Sequence, residues 1–344
     1  MVEKNMNKIL TIIIPIYDDG KDLKTCLSTI FKDSEILSIL EIFILNVSKS
    51  DFVSSFINNN YFQYKDIIKI VDEFDYYGKA MNFSIQNAKG KYITFLKCHD
   101  WINALALAHS IEKLKKYDAD IIINPYIQFN GNDMNQKIVD KKLFLKYSSN
   151  YIYNFDKIKF LKPLSFCELT YNSLVLKNIK FDDDLFYLSS AYSLYPIRKV
   201  NSILFLNDSF YVYHINYDPQ DLIMNVKITQ DHVAQHCQSI RYCIHNFNKY
   251  KSLLSLNKLN YEKRYLNKII NIQYYVFLSF PPSTARMQQL MGWDAEIKEI
   301  VPEIYNMPST VIISLIRKSK GKLYKMISFF VQKRLRHIRR MNRG

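Results

Sequence analysis

The chain has 344 residues but only 7 glycines, so each glycine is expected to meet a specific backbone requirement. Gly78 and Gly90 bracket a helix-like segment, and Gly90 stands where a helix stop would. The following run, residues 92–96, is rich in β-forming side chains and predicts a short buried parallel strand. Because the carboxyl ends of strands line the ligand crevice in open α/β sheets, residues 97–100 are expected to face a ligand.

Several classes of protein are disfavoured by what the chain lacks. Its aromatic content of 15% is too high for a disordered chain, and no apolar run reaches the roughly eighteen residues that a membrane span needs. The five cysteines are odd in number and form no CxxC motif, which favours a reduced, cytoplasmic setting over a disulfide framework. The first residues do not resemble a signal peptide, so we expect none.

Acidic residues are absent from residues 317–344, which contain eleven lysines and arginines and so carry most of the net charge of +15. Apolar residues recur there at helical spacing and predict a basic amphipathic helix; they are Tyr324, Ile327, Val331, Leu335 and Ile338. Such a helix binds anionic membrane surfaces, although a solvated tail or a helix docked on the body would show the same pattern. Nucleic acid is not expected as a partner, because no reading module accompanies the charge.

Strand-like and helix-like segments alternate in the first part of the chain, which predicts an α/β domain with a mostly parallel sheet. The expected strands are residues 10–17, 40–47, 67–71, 92–96 and 119–124, and the expected helices are residues 22–31, 81–88 and 103–117. Beyond about residue 225 the pattern is helical, most clearly over residues 228–247 and 261–280. We therefore predict a domain over residues 1–225, a helical region over residues 226–316 and a tail helix over residues 317–344.

Three motifs follow one another in this alternating part of the chain. They are IIIPIYDD at residues 12–19, EIFILNVSKSD at residues 41–51, and GKAMN at residues 78–82 followed by NAKGKYI at residues 87–93. In order and spacing they resemble the family 2 glycosyltransferases of the GT-A fold, over roughly residues 8–215. The resemblance implies a GT-A-like fold and the transfer of a sugar, with inversion, from a nucleotide diphosphate donor. It favours a UDP-sugar donor and a cell-surface glycan or lipid-linked precursor as acceptor.

The resemblance also assigns residues to nucleotide binding, namely Pro15, Tyr17, Asn46, Asp51, Gly78, Asn82 and Lys97. Pro15 and Tyr17 would lie beside the base, although Tyr17 is equally interpretable as a core aromatic residue. Asn46 stands where the family has a carboxylate that accepts a hydrogen bond from uracil, and its amide still offers an acceptor. Asp51 keeps the last acid of that motif, but an ordinary loop or helix-cap role fits it equally well.

The metal-binding motif of the family is altered in this chain. The family has Asp-x-Asp-Asp where this sequence has Lys97, Cys98, His99 and Asp100. Those carboxylates hold Mn²⁺ or Mg²⁺ in the family, and hard cations prefer oxygen ligands. His99 and Asp100 remain candidate ligands, but an intact metal site is doubtful. Alternatively, Lys97 contacts the diphosphate directly and the reaction is metal-independent, or the segment is the remnant of a lost site.

The general base of the family is altered as well. Inverting transfer needs a group that takes the proton of the acceptor hydroxyl, and the family's Glu-Asp pair falls on Ser189 and Ser190 here. A serine hydroxyl is no base at neutral pH. Asp183 and Asp184 are therefore the candidate catalytic residues, with Glu168 as a further substitute. Acids in such a turn are also commonly solvated residues at a helix start.

A helical face after residue 230 would bring together His232, His236 and Cys243, within a group that also includes Asp231, Cys237 and His245. This superficially suggests a soft-metal site, but matched ligand pairs are missing, so ordinary helix-face residues are the preferred interpretation.

Two functions remain in competition at this point. The first is a cytoplasmic glycosyltransferase at the inner face of the cell membrane. The second is an inactive GT-A domain that binds an active transferase, because the metal position and the base position both deviate. Neither homo- nor hetero-oligomers are excluded.

Overall fold

The computed structural model describes residues 8–130, 135–139, 146–158, 161–215 and 230–341. The chain forms two compact units: the first comprises Met1–Lys159 and Leu164–Ile215, and the second comprises Phe160–Pro163 and Asn216–Gly344. The domain limit predicted at residue 225 lies outside the described residues. The predicted separation of a helical region over residues 226–316 from a tail helix over residues 317–344 stays a prediction.

The first unit is an α/β domain, as the sequence predicted. Its strands are β1 (Leu10–Pro15), β2 (Leu40–Leu45), β3 (Ile68–Val71), β4 (Tyr92–Phe95), β5 (Trp101–Ile102), β6 (Ile121–Ile123), β7 (Tyr126–Asn130), β8 (Asn135–Val139), β9 (Ile152–Asn154), β10 (Leu169–Asn172), β11 (Ser202–Phe205) and β12 (Tyr211–Ile215). The five strands predicted from the sequence correspond to β1, β2, β3, β4 and β6. Each observed strand is one to three residues shorter than predicted.

The central sheet has the strand order β3-β2-β1-β4-β10-β6-β11-β9. Strands β3, β2, β1 and β4 are parallel to one another, and β10 is antiparallel to both of its neighbours. Strands β1 and β2 are buried along their whole length, as expected for nearly continuous aliphatic runs covered on both faces. Their carboxyl ends therefore meet at one edge of the sheet.

A smaller sheet in the same unit has the order β5-β12-β7-β8. Strand β12 is parallel to β7 and antiparallel to β5, which directly follows the segment 97–100. The sequence predicted none of its four strands, and β5, which has only two residues, shows no periodicity of its own.

Helices flank the strands in the first unit. They are α1 (Leu23–Ile30), α2 (Asp51–Asn60), α3 (Tyr77–Asn87), α4 (Ala104–Lys116), α5 (Ser173–Lys177) and α6 (Leu188–Leu194). The predicted helices over residues 22–31, 81–88 and 103–117 are confirmed as α1, α3 and α4. Helix α3 begins four residues earlier than predicted, so that Gly78 lies within its first turn.

The second unit is helical in its described part, as predicted. Its helices are α7 (Gln230–Tyr250), α8 (Leu256–Ser279), α9 (Thr284–Ile300), α10 (Pro302–Tyr305), α11 (Val311–Lys318) and α12 (Tyr324–Met341). Arg317, the first cation of the predicted tail, is partly buried in this unit: its Nε lies 3.0 Å from Asp294 Oδ1, and Nη2 donates to the hydroxyl of Tyr274. A search of the described helices finds none with the length and apolar character of a transmembrane span.

Gly90 is required because of close packing against β1. A Cβ atom at this position would lie 2.5 Å from the backbone nitrogen of Thr11. The Gly90 N–H donates to Thr11 Oγ1, and the Thr11 hydroxyl donates to the buried carboxylate of Glu41, which also accepts from Lys69. The prediction of a helix stop located the turn correctly, but its cause is lack of space and not a left-handed backbone, since Gly90 does not have a positive φ.

Gly78 has a similar steric role at the start of α3. A Cβ atom there would lie 2.0 Å from the carbonyl oxygen of Asp182, so only glycine lets α3 approach the turn at residues 181–185. The Gly78 N–H donates to the carbonyl of Leu185 at 3.1 Å. One helical turn later, the Asn82 amide donates to the carbonyl of Phe181 and accepts from its N–H, at 2.8 and 3.0 Å. Gly78 and Asn82 thus hold this turn against α3.

We predict that Gly78→Ala destabilises the protein by about 2 kcal/mol or more, because the added methyl group forces the backbone of α3 away from the backbone of the turn at residues 181–185. Gly292→Ala is the matched control, since a Cβ atom at Gly292 in helix α9 meets nothing within 4 Å. That change should stabilise its helix by about 0.5–1 kcal/mol, because alanine has the higher helix propensity. Chemical denaturation of the purified variants measures both. Equal stability of wild type and Gly78→Ala would contradict the steric role.

Candidate functional site

An aromatic cluster lies just beyond the end of β1. The half-buried ring of Tyr17 packs against Tyr77, Phe186 and Tyr187, with centroid distances of 4.5, 5.5 and 6.3 Å. The hydroxyl of Tyr77 donates to the carbonyl of Ile16, and burial raises the pKa of Tyr77 above its ordinary value. Tyr17 thus belongs to the packing of this edge and also keeps an exposed part, so both interpretations of it are compatible with the structure.

The loops that follow β1 and β2 are tied together at this edge. The hydroxyls of Ser48 and Ser50 donate to the carbonyls of Asp18 and Asp19 at 3.3 and 2.9 Å. Gly20 has a φ of +77°, a backbone conformation that favours glycine, and its N–H donates to the carboxylate of Asp18 at 2.9 Å. The carboxylates of Asp18 and Asp19 therefore stand exposed on a fixed loop.

Asn46 closes the loop after β2. It is buried, its Oδ1 accepts from the N–H of Ser50 at 3.0 Å, and its Nδ2 donates to the carbonyl of Ser50 at 3.2 Å. A uracil base would have to use the second lone pair of the same oxygen. Asp51 is exposed at the first position of helix α2. The nucleotide-binding roles of Pro15, Tyr17, Asn46 and Asp51 stay predictions.

The segment 97–100 is a buried turn. Lys97, Cys98, His99 and Asp100 are each at most 4% exposed. The N–H of Asp100 donates to the carbonyl of Lys97 at 3.0 Å. The ammonium of Lys97 lies 4.5 Å from the ring centroid of Phe166, a cation–π contact in the interior of the unit. In this arrangement Lys97 points into the protein, so contact with a diphosphate would require another rotamer.

Asp100 joins this turn to the smaller sheet. Its Oδ2 accepts from the hydroxyl of Tyr211 at 2.5 Å, and its Oδ1 accepts from the backbone N–H of His214 at 2.8 Å. The ring of His214 stacks on Phe129 and contacts Trp101, with centroid distances of 4.8 and 3.9 Å. Burial lowers the pKa of His214 to about 4, so its imidazole is neutral at neutral pH.

The residues present do not fit the metal site of the family. Both oxygens of Asp100 already accept hydrogen bonds from the protein, and His99 is buried beside it in the turn. Within the part of the chain that the structure describes, no three His, Cys, Asp or Glu side chains are grouped so that they could hold a metal ion. The same holds for the suggested group of His232, His236 and Cys243, where His236 Nδ1 is hydrogen-bonded to Gln273. We therefore derive no step through Mn²⁺ or Mg²⁺.

The turn held by Gly78 and Asn82 carries the candidate bases. Asp182 accepts from the hydroxyl of Tyr195 at 2.7 Å, whereas the carboxylates of Asp183 and Asp184 are exposed. Asp183 also accepts from the Asn82 amide at 3.2 Å. Two exposed carboxylates on a fixed turn can accept a proton from a bound hydroxyl, and this role stays a prediction.

The alternative residues for the base occupy other positions. Ser189 and Ser190 lie, partly exposed, in the first turn of helix α6. Glu168 is buried, and its Oε2 accepts from the N–H of Ser165 at 2.7 Å within a capping box. Glu168 thus stabilises a local turn and is the less suitable proton acceptor.

Tyr211 and His214 were not recognised in the sequence. They are separated from Asp100 by 111 and 114 residues and lie on a strand that no pattern predicted. Only the pairing of β12 with β5 brings them to the end of β4.

None of the five cysteines, all of which lie in the described part of the chain, forms a disulfide. All five are buried, and burial raises the pKa of four of the thiols, those of Cys26, Cys98, Cys167 and Cys237. They behave as core residues and not as nucleophiles.

Comparison with known proteins extends the resemblance seen in the sequence. Residues 11–179 match the family described as "Glycosyl transferase family 2". The chain is similar to glycosyltransferase GlyA of Streptococcus pneumoniae serotype 4 (strain ATCC BAA-334 / TIGR4), with 23% identity over 222 residues, covering 60% of this chain and 30% of GlyA. Glycosyltransferase GlyG of the same organism is 21% identical over 227 residues, covering 60% of this chain and 71% of GlyG. The chain thus spans less than a third of the length of GlyA.

Solved structures resemble the chain in fold. S. aureus TarS 1-349, solved in complex with UDP-GlcNAc, has a TM-score of 0.60 and 15% identity, covering 96% of this chain and 92% of that one. The mannosyltransferase PcManGT from Pyrobaculum calidifontis, solved with GDP-Man and Mn²⁺, has a TM-score of 0.50 and 12% identity, with 95% and 88% covered. At these identities the likeness concerns the fold alone, and it agrees with a GT-A-like architecture.

We predict that Asp100→Asn destabilises the protein by about 2–4 kcal/mol, because one of two buried donors loses its acceptor. Tyr211→Phe should also destabilise it, and the double variant should lose less than the sum of the two changes, with a coupling of about 1–2 kcal/mol. Denaturation of all four proteins measures this coupling.

Tyr195→Phe is the matched control for this cycle, because Tyr195 donates to the less buried Asp182. Its cost should be about 1 kcal/mol or less. Additive effects of Asp100→Asn and Tyr211→Phe would show that the two side chains do not stabilise each other.

Proposed function

Because residues 11–179 form a glycosyl transferase family 2 domain, we propose that this chain transfers a sugar from a nucleotide diphosphate donor to a hydroxyl group of a glycan or lipid-linked acceptor. The observation that carries the proposal is the match of residues 11–179 to this family. In the same unit, the partly exposed ring of Tyr17 lies just beyond the end of β1 and close to the turn at residues 181–185. Phe186, which directly follows that turn, contacts the Tyr17 ring at 5.5 Å.

The reaction itself is a displacement at the anomeric carbon. The acceptor oxygen forms a bond to this carbon while the bond to the diphosphate oxygen breaks, and the electron pair leaves with the nucleoside diphosphate. The proton of the acceptor hydroxyl passes to a base, for which we propose Asp183 or Asp184. Their exposure lets them reach a bound acceptor, and the contacts of Gly78 and Asn82 fix the position of the turn.

We propose a UDP-sugar as the donor. TarS, which shares the fold, was solved with UDP-GlcNAc, and Tyr17 offers a partly exposed ring on which a base can stack. The proposal uses no metal ion at His99 and Asp100, since both oxygens of Asp100 are engaged by the protein. Donor binding without Mn²⁺ is therefore the expected behaviour, and Lys97 would contribute to it only after turning away from Phe166.

We place the protein in the cytoplasm, at the inner face of the cell membrane. Residues 317–344 contain eleven cations and no acid, a composition attracted to anionic lipid headgroups. A lipid-linked or surface-glycan acceptor fits this location. Homo- or hetero-oligomers are compatible with it, and nucleic acid is not a proposed partner.

Calorimetric titration with UDP, GDP and CDP, each with and without Mn²⁺, tests donor binding. UDP should bind in the absence of Mn²⁺, and Tyr17→Ala should weaken its binding about tenfold or more, because a base–aromatic stack contributes roughly 1–3 kcal/mol. Tyr151→Ala, at an exposed tyrosine of the same unit, is the control and should bind like wild type. Failure of all three nucleotides to bind would overturn the proposal and favour an inactive domain that binds an active transferase.

Transfer assays with UDP-sugars and lipid-linked acceptors test the base. Asp183→Asn and Asp184→Asn are compared. The variant that lacks the base should have a kcat about 10²–10⁴-fold lower but should still bind UDP, because only proton removal is lost. Asp182→Asn is the control in the same turn: its amide oxygen can still accept from Tyr195, so activity should persist. Full activity of both Asp183→Asn and Asp184→Asn would exclude these residues as the base.

A further inference from the structure

The apolar stripe predicted for helix α12 is already used within the second unit. Tyr324, Ile327, Val331 and Leu335 are buried, and the side chain of Ile338 lies outside the described residues. From the same face, the hydroxyl of Ser328 donates to the carbonyls of Leu278 and Phe280 at 3.1 and 3.3 Å, at the end of helix α8. The helix is therefore docked on its own unit, and this stripe is not available to a membrane.

The opposite face of α12 is also apolar in its first turns. Met326, Phe329 and Phe330 are 52%, 53% and 60% exposed, and their spacing of three and four residues puts them on one face. The two phenyl rings contact each other edge to face, with centroids 5.8 Å apart. A helix with one buried face normally presents polar side chains on the other. Met326, Phe329 and Phe330, here called the phenylalanine face, therefore mark an interaction surface.

Cations surround the phenylalanine face. Lys325, Lys333, Arg334 and Arg336 are all exposed on the same helix, and the last acidic residue of the chain is Glu303. Exposed cations beside large apolar side chains match the boundary of an anionic bilayer, where phosphate groups lie next to acyl chains. A second copy of the chain is disfavoured as the partner, because pairing two such faces would bring like charges together.

We propose that the phenylalanine face inserts into the headgroup and acyl boundary of an anionic lipid bilayer, with Lys325, Lys333, Arg334 and Arg336 on the surrounding phosphates. This inference rests on the proposed attachment of residues 317–344 to the membrane, but not on glycosyl transfer, and it replaces the face predicted from the sequence. Helix α12 thus uses one face to pack on its unit and the other to bind lipid.

Co-sedimentation of the full chain with vesicles tests the proposal. Wild type should bind vesicles of phosphatidylcholine mixed with phosphatidylglycerol, and should bind pure phosphatidylcholine vesicles weakly. The double change Phe329→Gln/Phe330→Gln should lower the partition coefficient roughly tenfold or more. Lys333→Gln/Arg334→Gln should weaken binding to the anionic vesicles only, and added salt should do the same to wild type.

Leu253→Gln/Leu256→Gln is the matched control, because these leucines are also strongly exposed in the second unit but lie outside α12. It should bind vesicles like wild type. Unchanged circular dichroism and melting temperature of Phe329→Gln/Phe330→Gln exclude unfolding as the cause of lost binding, and unchanged UDP binding separates this result from the fate of the proposed function.

Phe330→Trp reports on insertion directly. Its fluorescence should shift to the blue with anionic vesicles and be quenched by brominated acyl chains. Binding of Phe329→Gln/Phe330→Gln equal to wild type would overturn the proposal. The proposal would also be overturned if the wild type were a dimer in the absence of lipid and Phe329→Gln/Phe330→Gln were a monomer, because the phenylalanine face would then be a contact between two copies of the chain.

Discussion

The carboxylate of Asp100 joins the turn after β4 to strand β12 of the smaller sheet. It has no exposed surface, and its two oxygens accept hydrogen bonds from the Tyr211 hydroxyl and the His214 N–H. A buried carboxylate is tolerated only where such donors are supplied, because its charge is costly to remove from water. The end of β4, the strand β5 and the strand β12 must therefore keep their mutual positions for Asp100 to remain satisfied.

This constraint changes what the edge of the central sheet can offer a ligand. In the family that the chain resembles, the end of this strand presents carboxylates to a metal ion. Here the corresponding turn is buried, with the Lys97 ammonium over Phe166 and Asp100 engaged by the smaller sheet. The groups that remain accessible come from other segments: the ring of Tyr17, the carboxylates of Asp18 and Asp19, and those of Asp183 and Asp184. A ligand at this edge meets an aromatic surface and acids on tied loops.

The sequence predicted five of the eight strands of the central sheet, namely β1, β2, β3, β4 and β6, because continuous aliphatic runs and scarce glycines are local signals. It did not predict β9, β10 and β11. Gly78 shows how far such signals reach. The scarcity of glycine in the chain indicated a backbone requirement at this position. The structure shows that the requirement is a close approach of α3 to the carbonyl of Asp182, more than a hundred residues away in sequence. Asn46 also has partners that the sequence did not show: its amide closes a local loop through hydrogen bonds with Ser50, while its contact with a base stays a prediction. Residue type predicted the chemistry of these side chains, but their partners depend on tertiary contacts.

The smaller sheet marks the limit of local patterns. Strand β5 consists of Trp101 and Ile102, too short for a periodicity, and becomes a strand only through pairing with Tyr211 and Val212. For the same reason the sequence could not show that Asp100 would be withdrawn from a metal site. A sequence shows how many acids a motif contains, but it does not show which hydrogen-bond donors their carboxylates accept from.

Helix α12 presents the corresponding problem in the second unit. Its sequence contains two apolar faces, one of aliphatic residues and Tyr324 and one of Met326, Phe329 and Phe330, and hydrophobic periodicity alone cannot rank them. The hydroxyl of Ser328 settles which face packs inward, because it reaches the last carbonyls of α8. Since one face is satisfied within the unit, the other face and the cations beside it are free to determine what the helix binds. The stripe that first suggested a membrane helix is thus what anchors the helix to the protein, and this anchoring is what presents the phenylalanine face outward.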